Sequence, residues 1–194
     1  KHNFVSNRSG TISFYTTNYD GTDTQLMVAT DQKDNFDYYP VPENSETYAA
    51  LLASKTSKNG QQDQLAIISV PDKSLKVVDE VKGKALDFDI IAVSKKYVIY
   101  TVTYDEARAD KFKIKTYDFA TEKLTTIYSS SYNKDVYSTA FDETRGILYV
   151  NEQYFQTYAF NETNTTTNTL IRIDIAKNTR SNLLESTQVY YIQI

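Results

Sequence analysis

Carboxylates are the residues of this sequence with the clearest chemical potential. His2 is the only histidine and there is no cysteine, which excludes a Ser-His-Asp triad, a Cys-His dyad and a multi-histidine metal site. Asp87 and Asp89 alternate along one predicted strand, so they share a face and could serve as general acid and base. Charged residues flanking a buried inner strand give the same spacing, and we therefore predict no catalytic residue.

An oxygen-rich turn offers a second kind of chemistry, metal binding. Asn18, Asp20 and Asp23 surround Gly21. Calcium requires about six to eight oxygen ligands, and the EF-hand spacing with its distant glutamate is missing here. A hairpin turn of the Asx type uses the same residues. We therefore predict a turn, with a calcium site as the alternative, and we expect no other cofactor.

Two further groups of residues suit binding and modification. The densest aromatic patch predicts a contact surface for a protein or a sugar, because such rings offer contact area at little entropic cost; its members are Tyr154, Phe155, Tyr158 and Phe160. The alternative is that these rings cover the loop that follows their strand. If the protein is secreted, Asn-X-Ser/Thr triplets predict glycosylation at Asn7, Asn161 and Asn164.

Strands must position all of these residues. Polar and apolar side chains alternate with period two along most of the sequence, and no segment keeps a helical period for three turns. A unit of strand, polar turn and strand recurs about four times, most clearly over 111–127 and 169–184. The same point of each copy, just before its last strand, falls at Thr30, Val70, Phe119 and Ile175. We predict an all-β fold, a single β-propeller domain over 1–194 with about four blades, the first lacking its outermost strand.

The number of blades in the complete ring leaves two alternatives open. A terminal strand predicted over 189–194 would close a four-bladed ring by supplying the missing inner strand of the first blade. In the other alternative, the four units belong to a ring of about six to eight blades. Propeller ligands usually meet the loops at one face or the central channel, so the candidate contact segments are 18–23, 58–62, 106–110 and 155–168.

Composition narrows the classes of function. A chain of 194 residues with 40% hydrophobic and 24% charged residues is typical of one globular domain. The net charge of −4 argues against nucleic acid as a partner. Lys111, Lys113 and Lys115 alternate, and we interpret them as the solvated face of an outer strand. No apolar run is long enough to span a bilayer.

Two stretches of the sequence resemble known propeller repeats. The segment 37–54, DYYPVPENSETYAALLAS, resembles the TolB-type repeat, in which an aromatic-Pro strand and a polar turn precede an apolar strand ending in Ser. The turn Pro42-Glu43-Asn44-Ser45 departs from the usual Ser-Pro-Asp-Gly of that family. The segments 139–151, TAFDETRGILYVN, and 170–179, LIRIDIAKNT, are similar to the YVTN-type repeat of surface-layer and lactonase-like proteins.

The resemblance implies an extracytoplasmic protein that binds a protein or a glycan. We therefore predict a non-enzymatic, rigid binding platform. One alternative is an enzyme, either a lactonase-like hydrolase with a divalent ion on inward-facing carboxylates or the propeller of a larger peptidase. Another alternative is a homo-oligomer, a self-assembling surface-layer or filament subunit.

Overall fold

The computed structural model describes residues 1–30, 35–56, 60–83, 85–104, 111–130, 134–156 and 165–186. These residues form strands and turns, with no helix among them. The strands are β1 (His2–Ser6), β2 (Ser13–Thr17), β3 (Gln25–Val28), β4 (Asn35–Val41), β5 (Asn44–Thr56), β6 (Gly60–Ser69), β7 (Ser74–Gly83), β8 (Ala85–Val93), β9 (Tyr97–Tyr104), β10 (Phe112–Asp118), β11 (Lys123–Ser130), β12 (Lys134–Asp142), β13 (Ile147–Gln156), β14 (Thr165–Asp174) and β15 (Thr179–Ser186).

The strands form four antiparallel sheets in chain order, which we call blades 1 to 4. Blade 1 contains β1 to β3, blade 2 contains β4 to β7, blade 3 contains β8 to β11, and blade 4 contains β12 to β15. Within each blade, every strand pairs with the next one along the chain, so the blade is a meander. This is the blade topology of a β-propeller, and the predicted all-β propeller fold is confirmed.

Three apolar cores join successive blades. One lies between blades 1 and 2 around Phe14 and Tyr48, one between blades 2 and 3 around Leu65 and Tyr100, and one between blades 3 and 4 that includes Ile173. The strand β9 contributes to two of them, because Tyr97 and Ile99 face blade 4 while Val98, Tyr100 and Val102 face blade 2. A strand buried on both faces needs an almost continuous apolar run, as β9 has.

The repeat alignment made from sequence is confirmed by backbone hydrogen bonds. The amide of Val70 donates to the carbonyl of Glu46, that of Phe119 to Lys96, and that of Ile175 to Gly146. Each bond ties the end of a blade's third strand to the turn between its first two strands. Thr30 follows the third strand of blade 1 and donates its hydroxyl to the carbonyl of Ile12.

Blade 1 has three strands among the described residues, as the sequence predicted. The segment 29–34 between β3 and β4 is too short to add a further strand with its turns after β3. The inner strand β1 was not recognised from the sequence, since its five residues, HNFVS, precede the first clear alternation. The predicted strand over 189–194 lies outside the described residues.

The interpretation of the lysine stripe as an outer, solvated face was wrong. The stripe lies on and next to β10, the third strand of blade 3. Lys115 pairs with Asp79 of β7 in blade 2, its side chain only 18% exposed. Lys111 pairs with Asp135 of blade 4 at 3.4 Å, and Lys113 places its ammonium 5.2 Å from the ring centroid of Tyr104 in its own blade. Lys115 and Lys111 therefore link blade 3 to its two neighbours.

Candidate functional site

A groove of about 660 Å³ lies at one end of the molecule, where turns from successive blades converge. Blade 2 contributes Glu43, blade 3 contributes the turn between β8 and β9, and blade 4 contributes two turns. The lining residues are Glu43, Ser94, Lys95, Lys96, Tyr97, Phe141, Glu143, Thr144, Arg145, Gly146 and Ala176. We call this the turn groove. Its volume lies within the range of small-molecule and peptide pockets.

The central wall of the turn groove is a turn organised by Ser94. This residue is 2% exposed, and its hydroxyl accepts hydrogen bonds from the amides of Tyr97, at 2.9 Å, and Lys96, at 3.3 Å. The amide of Ser94 donates to the carbonyl of Tyr97 at 2.8 Å. A serine hydroxyl that closes a turn in this way satisfies backbone donors that would otherwise be buried without partners. The turn therefore presents Lys95 and Lys96 from a fixed backbone.

Lys95 connects the turns of three blades. Its ammonium lies 2.6 Å from a carboxylate oxygen of Glu43 in blade 2. Its backbone amide donates to Oε1 of Glu143 in blade 4 at 3.1 Å. The side chains of Lys95 and Glu43 are more than half exposed, so we assign the ion pair little stability and treat it as an aid to the alignment of the turns.

The wall from blade 4 is the turn between β12 and β13. Oδ1 of Asp142 accepts the amide of Arg145 at 3.0 Å, and Oδ2 lies 3.5 Å from the guanidinium of the same residue. Gly146 ends the turn at φ 66°, a left-handed conformation that suits glycine. Arg145 nevertheless remains 74% exposed at its side chain, so its guanidinium stays accessible to a partner.

Lys96 carries a charge at the rim of the groove without an ion pair among the described residues. Its ammonium lies 4.9 Å from the ring centroid of Tyr97. A hydrogen bond with the Tyr97 side chain raises the pKa of Lys96 above its usual value, with a smaller effect from the negative charge of Asp118. The side chain is exposed and remains positively charged at neutral pH.

The candidate contact segments predicted from sequence all join the second strand of a blade to its third. The described strand ends that flank these segments lie at the end of the molecule opposite the turn groove. Much of 58–62, 106–110 and 155–168 lies outside the described residues. Sequence reasoning missed the turn groove because it searched long loops, whereas the groove is built from short turns. The sequence Ser94-Lys95-Lys96 between two apolar runs was the available signal.

The predicted oxygen-rich turn is formed as an Asx turn. Oδ1 of Asp20 accepts the amide of Thr22 at 3.0 Å and its hydroxyl at 2.7 Å, and these bonds lower the pKa of Asp20, the hydroxyl having the larger effect. Nδ2 of the Asn18 side chain donates to Oγ1 of Thr22, and Asp23 accepts from Gln25 and pairs with Lys1. Within the described residues no group of three or more His, Cys, Asp or Glu could hold a metal. The calcium alternative stays a prediction.

The aromatic patch lies only partly within the described chain. Tyr154 is half-buried on β13, opposite Lys134 of β12 and Thr167 of β14. The side chain of Phe155 and residues Tyr158 and Phe160 lie outside the described part, so their role as a contact surface stays a prediction.

One of the predicted glycosylation triplets is described. Asn7 is exposed in the turn between β1 and β2, where its carbonyl accepts the amide of Gly10 at 2.8 Å. Asn161 and Asn164 lie outside the described residues. An exposed turn is a suitable setting for a glycan, and use of these asparagines stays a prediction.

A second, smaller cavity of about 250 Å³ between blades 2 and 3 collects carboxylates. Asp37 and Asp89 line it from the inner strands β4 and β8, and Asp63 joins them from β6 with only 3% exposure. Tyr39 stands beside them, and its pKa is raised by burial and further by the charges of Asp37 and Asp89. The side chain of Asp87, the predicted partner of Asp89, lies outside the described part. Asp37 and Asp63 were missed because they come from other strands.

No family model matches this sequence, and no curated protein matches it. Solved structures do match. An oligogalacturonate lyase in complex with manganese is 6% identical, with a TM-score of 0.53 over 95% of this chain and 52% of its own. TolB from Acinetobacter baumannii is 13% identical, with a TM-score of 0.47 over 93% of this chain and 40% of its own. The tricorn protease is 11% identical, with a TM-score of 0.43 over 93% of this chain and 24% of its own.

The likeness to the lyase supports the fold, and at this identity it shows the fold alone. The chain spans about half, or less, of the length of these three proteins. Membership of the TolB-type or YVTN-type family stays a prediction. The part of the chain that the structure describes contains no helix with the length and apolar character needed to cross a membrane.

Proposed function

We propose that this chain is a non-enzymatic, extracytoplasmic binding platform of the β-propeller class that holds a protein or glycan partner in the turn groove. The observation that carries the proposal is the convergence of turns from three blades on one cleft of about 660 Å³. Exposed charged side chains and the half-buried ring of Phe141 line that cleft together. Such a mixture of apolar and polar groups on a fixed scaffold suits recognition.

Rigidity of the walls favours binding at this place. Ser94 and Asp142 each fix one of the two main turns by accepting backbone amides. The amide of Lys95, in the first turn, donates to Glu143 in the second. Binding to a pre-formed surface costs less conformational entropy than binding to a surface whose loops must first become ordered. One ion pair, between Lys95 and Glu43, and one hydrogen bond, from the amide of Lys95 to Glu143, link the turns of three blades.

Site-specific photo-cross-linking tests the proposal. A photoreactive amino acid replaces Thr144, which is exposed in the groove, or Thr121, which is exposed in a turn at the same end outside it. We expect saturable cross-links to a defined partner in the native host from position 144 and not from position 121. Competition by an excess of unmodified protein must remove them. Equal, unsaturable labelling at both positions would contradict the proposal.

A lactonase-like hydrolase remains the second candidate because of the carboxylate cavity. Asp37, Asp63 and Asp89 line that cavity, although no group of three or more acidic residues among those described is placed to hold a metal ion. A pH indicator can follow the hydrolysis of simple lactones with added manganese or calcium. The result decides between the hydrolase and the binding platform. Turnover that is lost in Asp89→Asn, an exposed position, would favour the enzyme; no turnover with either ion favours the platform.

A further inference from the structure

The turn groove carries an excess of positive charge on a chain that is negative as a whole. Its charged lining residues are three basic side chains, Lys95, Lys96 and Arg145, and two acidic ones, Glu43 and Glu143. The complete sequence has a net charge of −4. A local reversal of sign at a concave surface attracts a ligand of the opposite charge.

The two carboxylates of the groove are already engaged by one residue. The ammonium of Lys95 pairs with Glu43, while the backbone amide of Lys95 donates one hydrogen bond to Glu143, a bond that does not balance the charge of that carboxylate. The cations left for a partner are therefore Lys96, which has no ion pair among the described residues, and Arg145, which shares only the carboxylate of Asp142. Both side chains are exposed.

We infer that the turn groove binds an acidic peptide segment. A carboxylate of the segment pairs with Arg145 and Lys96, and an apolar side chain next to it packs on Phe141 and Ala176. A guanidinium can hold a carboxylate through two parallel hydrogen bonds, while an ammonium supplies a point charge. This inference rests on the proposed function, of which it names the partner's chemistry.

A short peptide fits the surroundings better than an extended polyanion does. Glu43 and Glu143 stand in the same walls and repel a ligand that is negative along its whole length. Nucleic acid binding further requires a basic patch, whereas Lys111 and Lys115 are paired with carboxylates of neighbouring blades. One or two carboxylates flanked by apolar residues match both the cations and the aromatic wall.

The test starts from a random hexapeptide library selected against the complete chain. We expect Asp or Glu to be enriched at one or two positions of the selected peptides. The selected peptides are then synthesised with these residues as acids or as the matching Asn or Gln amides. Fluorescence polarisation should show at least a tenfold weaker affinity for the amides, and an affinity that falls with added salt.

Charge reversal locates the contact. We expect Lys96→Glu and Arg145→Glu each to weaken the acidic peptide at least tenfold. Lys123→Glu is the matched control, because Lys123 is exposed at the same end of the molecule but does not line the groove. It should change the affinity less than twofold. Thermal unfolding checks that all variants remain folded.

The remaining outcomes separate this inference from the proposed function. The selected peptides could lack acidic residues, with their binding blocked by Thr144→Trp but not by Lys96→Glu. This result would overturn the inference of an acidic partner and leave the groove as a binding site. Failure to select any groove-dependent peptide, together with equal cross-linking at positions 144 and 121, would overturn both.

Discussion

Single side chains set the shape of the turn groove by closing turns. Ser94 does so with its hydroxyl, and Asp142 and Asp174 do so with carboxylate oxygens that accept turn amides. The hydrogen bond from the amide of Lys177 lowers the pKa of Asp174, as expected for a carboxylate that accepts a backbone donor. The sequence predicted turns at these positions but not their convergence. Each turn depends on its local sequence, whereas the turns that lie beside it in space come from distant parts of the chain.

Removing the Ser94 hydroxyl should loosen the central wall of the groove. We expect Ser94→Ala to lower the free energy of unfolding by about 1–2 kcal/mol, because it leaves the amide of Tyr97 without its buried acceptor. Urea denaturation measures the change. Ser129→Ala, at an exposed position of β11, is the control and should stay within about 0.5 kcal/mol of the parent. Equal stability of the two variants would contradict a structural role for the hydroxyl.

Equivalent turns of blades 2 and 4 place different residues in the same backbone conformation. Lys73 has φ 48° and Asn178 has φ 50°, each at the fourth position of a turn between a third and a fourth strand. Left-handed conformations cost most residues about 1–2 kcal/mol, and asparagine tolerates them better than lysine does. We expect Lys73→Asn to stabilise the protein by roughly 0.5–1 kcal/mol and Asn178→Lys to destabilise it by a similar amount.

These two substitutions control for one another, because both exchange lysine and asparagine at matching turn positions. Chemical denaturation of both variants and the parent under the same conditions gives the two differences. A shift of both variants in the same direction would show that the side chains act through contacts other than the turn conformation.

At the level of strands, alternation in the sequence predicted most of the strands but not which faces of neighbouring sheets meet. The period of two located most strands, and the superposition of Val70, Phe119 and Ile175 placed three blades in register. The burial of Lys115 between blades escaped prediction, since its partner Asp79 belongs to the preceding sheet. Contacts between sheets depend on the order and stacking of blades, which alternation alone does not specify.

The ion pair between blades 2 and 3 provides a measurable test of that stacking. Asp79 accepts hydrogen bonds from Lys115 and, at 2.5 Å, from the hydroxyl of Tyr100, and the carboxylate and the ammonium are both largely buried. Burial, and then the bond to Asp79, raise the pKa of Tyr100, so the hydroxyl stays a donor. We expect Asp79→Asn to cost about 3–5 kcal/mol, because it leaves the ammonium of Lys115 buried without its counter-charge.

A double-mutant cycle isolates the pair from the rest of the interface. Lys115→Met removes the cation while it keeps the apolar stem, so the double variant Asp79→Asn with Lys115→Met should be destabilised by less than the sum of the two single variants. Urea denaturation of all four proteins gives the coupling energy. Additive effects would mean that the two side chains do not interact in solution.

For the whole molecule, three apolar cores link four blades in series, each blade in contact with its neighbours along the chain. Such a linear arrangement allows stability to differ from one blade to another. It also explains why the turn groove escaped the sequence: Glu43, Lys95 and Glu143 are far apart in the chain and meet only when the blades stack.

Blade 1 should open before the central blades. It has three strands, its third strand has only four residues, and a single core joins it to the described neighbour. Blade 3 has four strands between two cores, and β9 is buried on both faces. We expect amide hydrogen exchange under native conditions to be slowest in β9 and β10 and at least about a hundredfold faster in β3, equivalent to roughly 3 kcal/mol or more of opening free energy.

Phe14→Ala, which weakens the core between blades 1 and 2, should speed exchange in blade 1 and leave the protection of β9 unchanged. Uniform protection, with Phe14→Ala lowering every amide together, would instead mean that the four blades unfold as one cooperative unit.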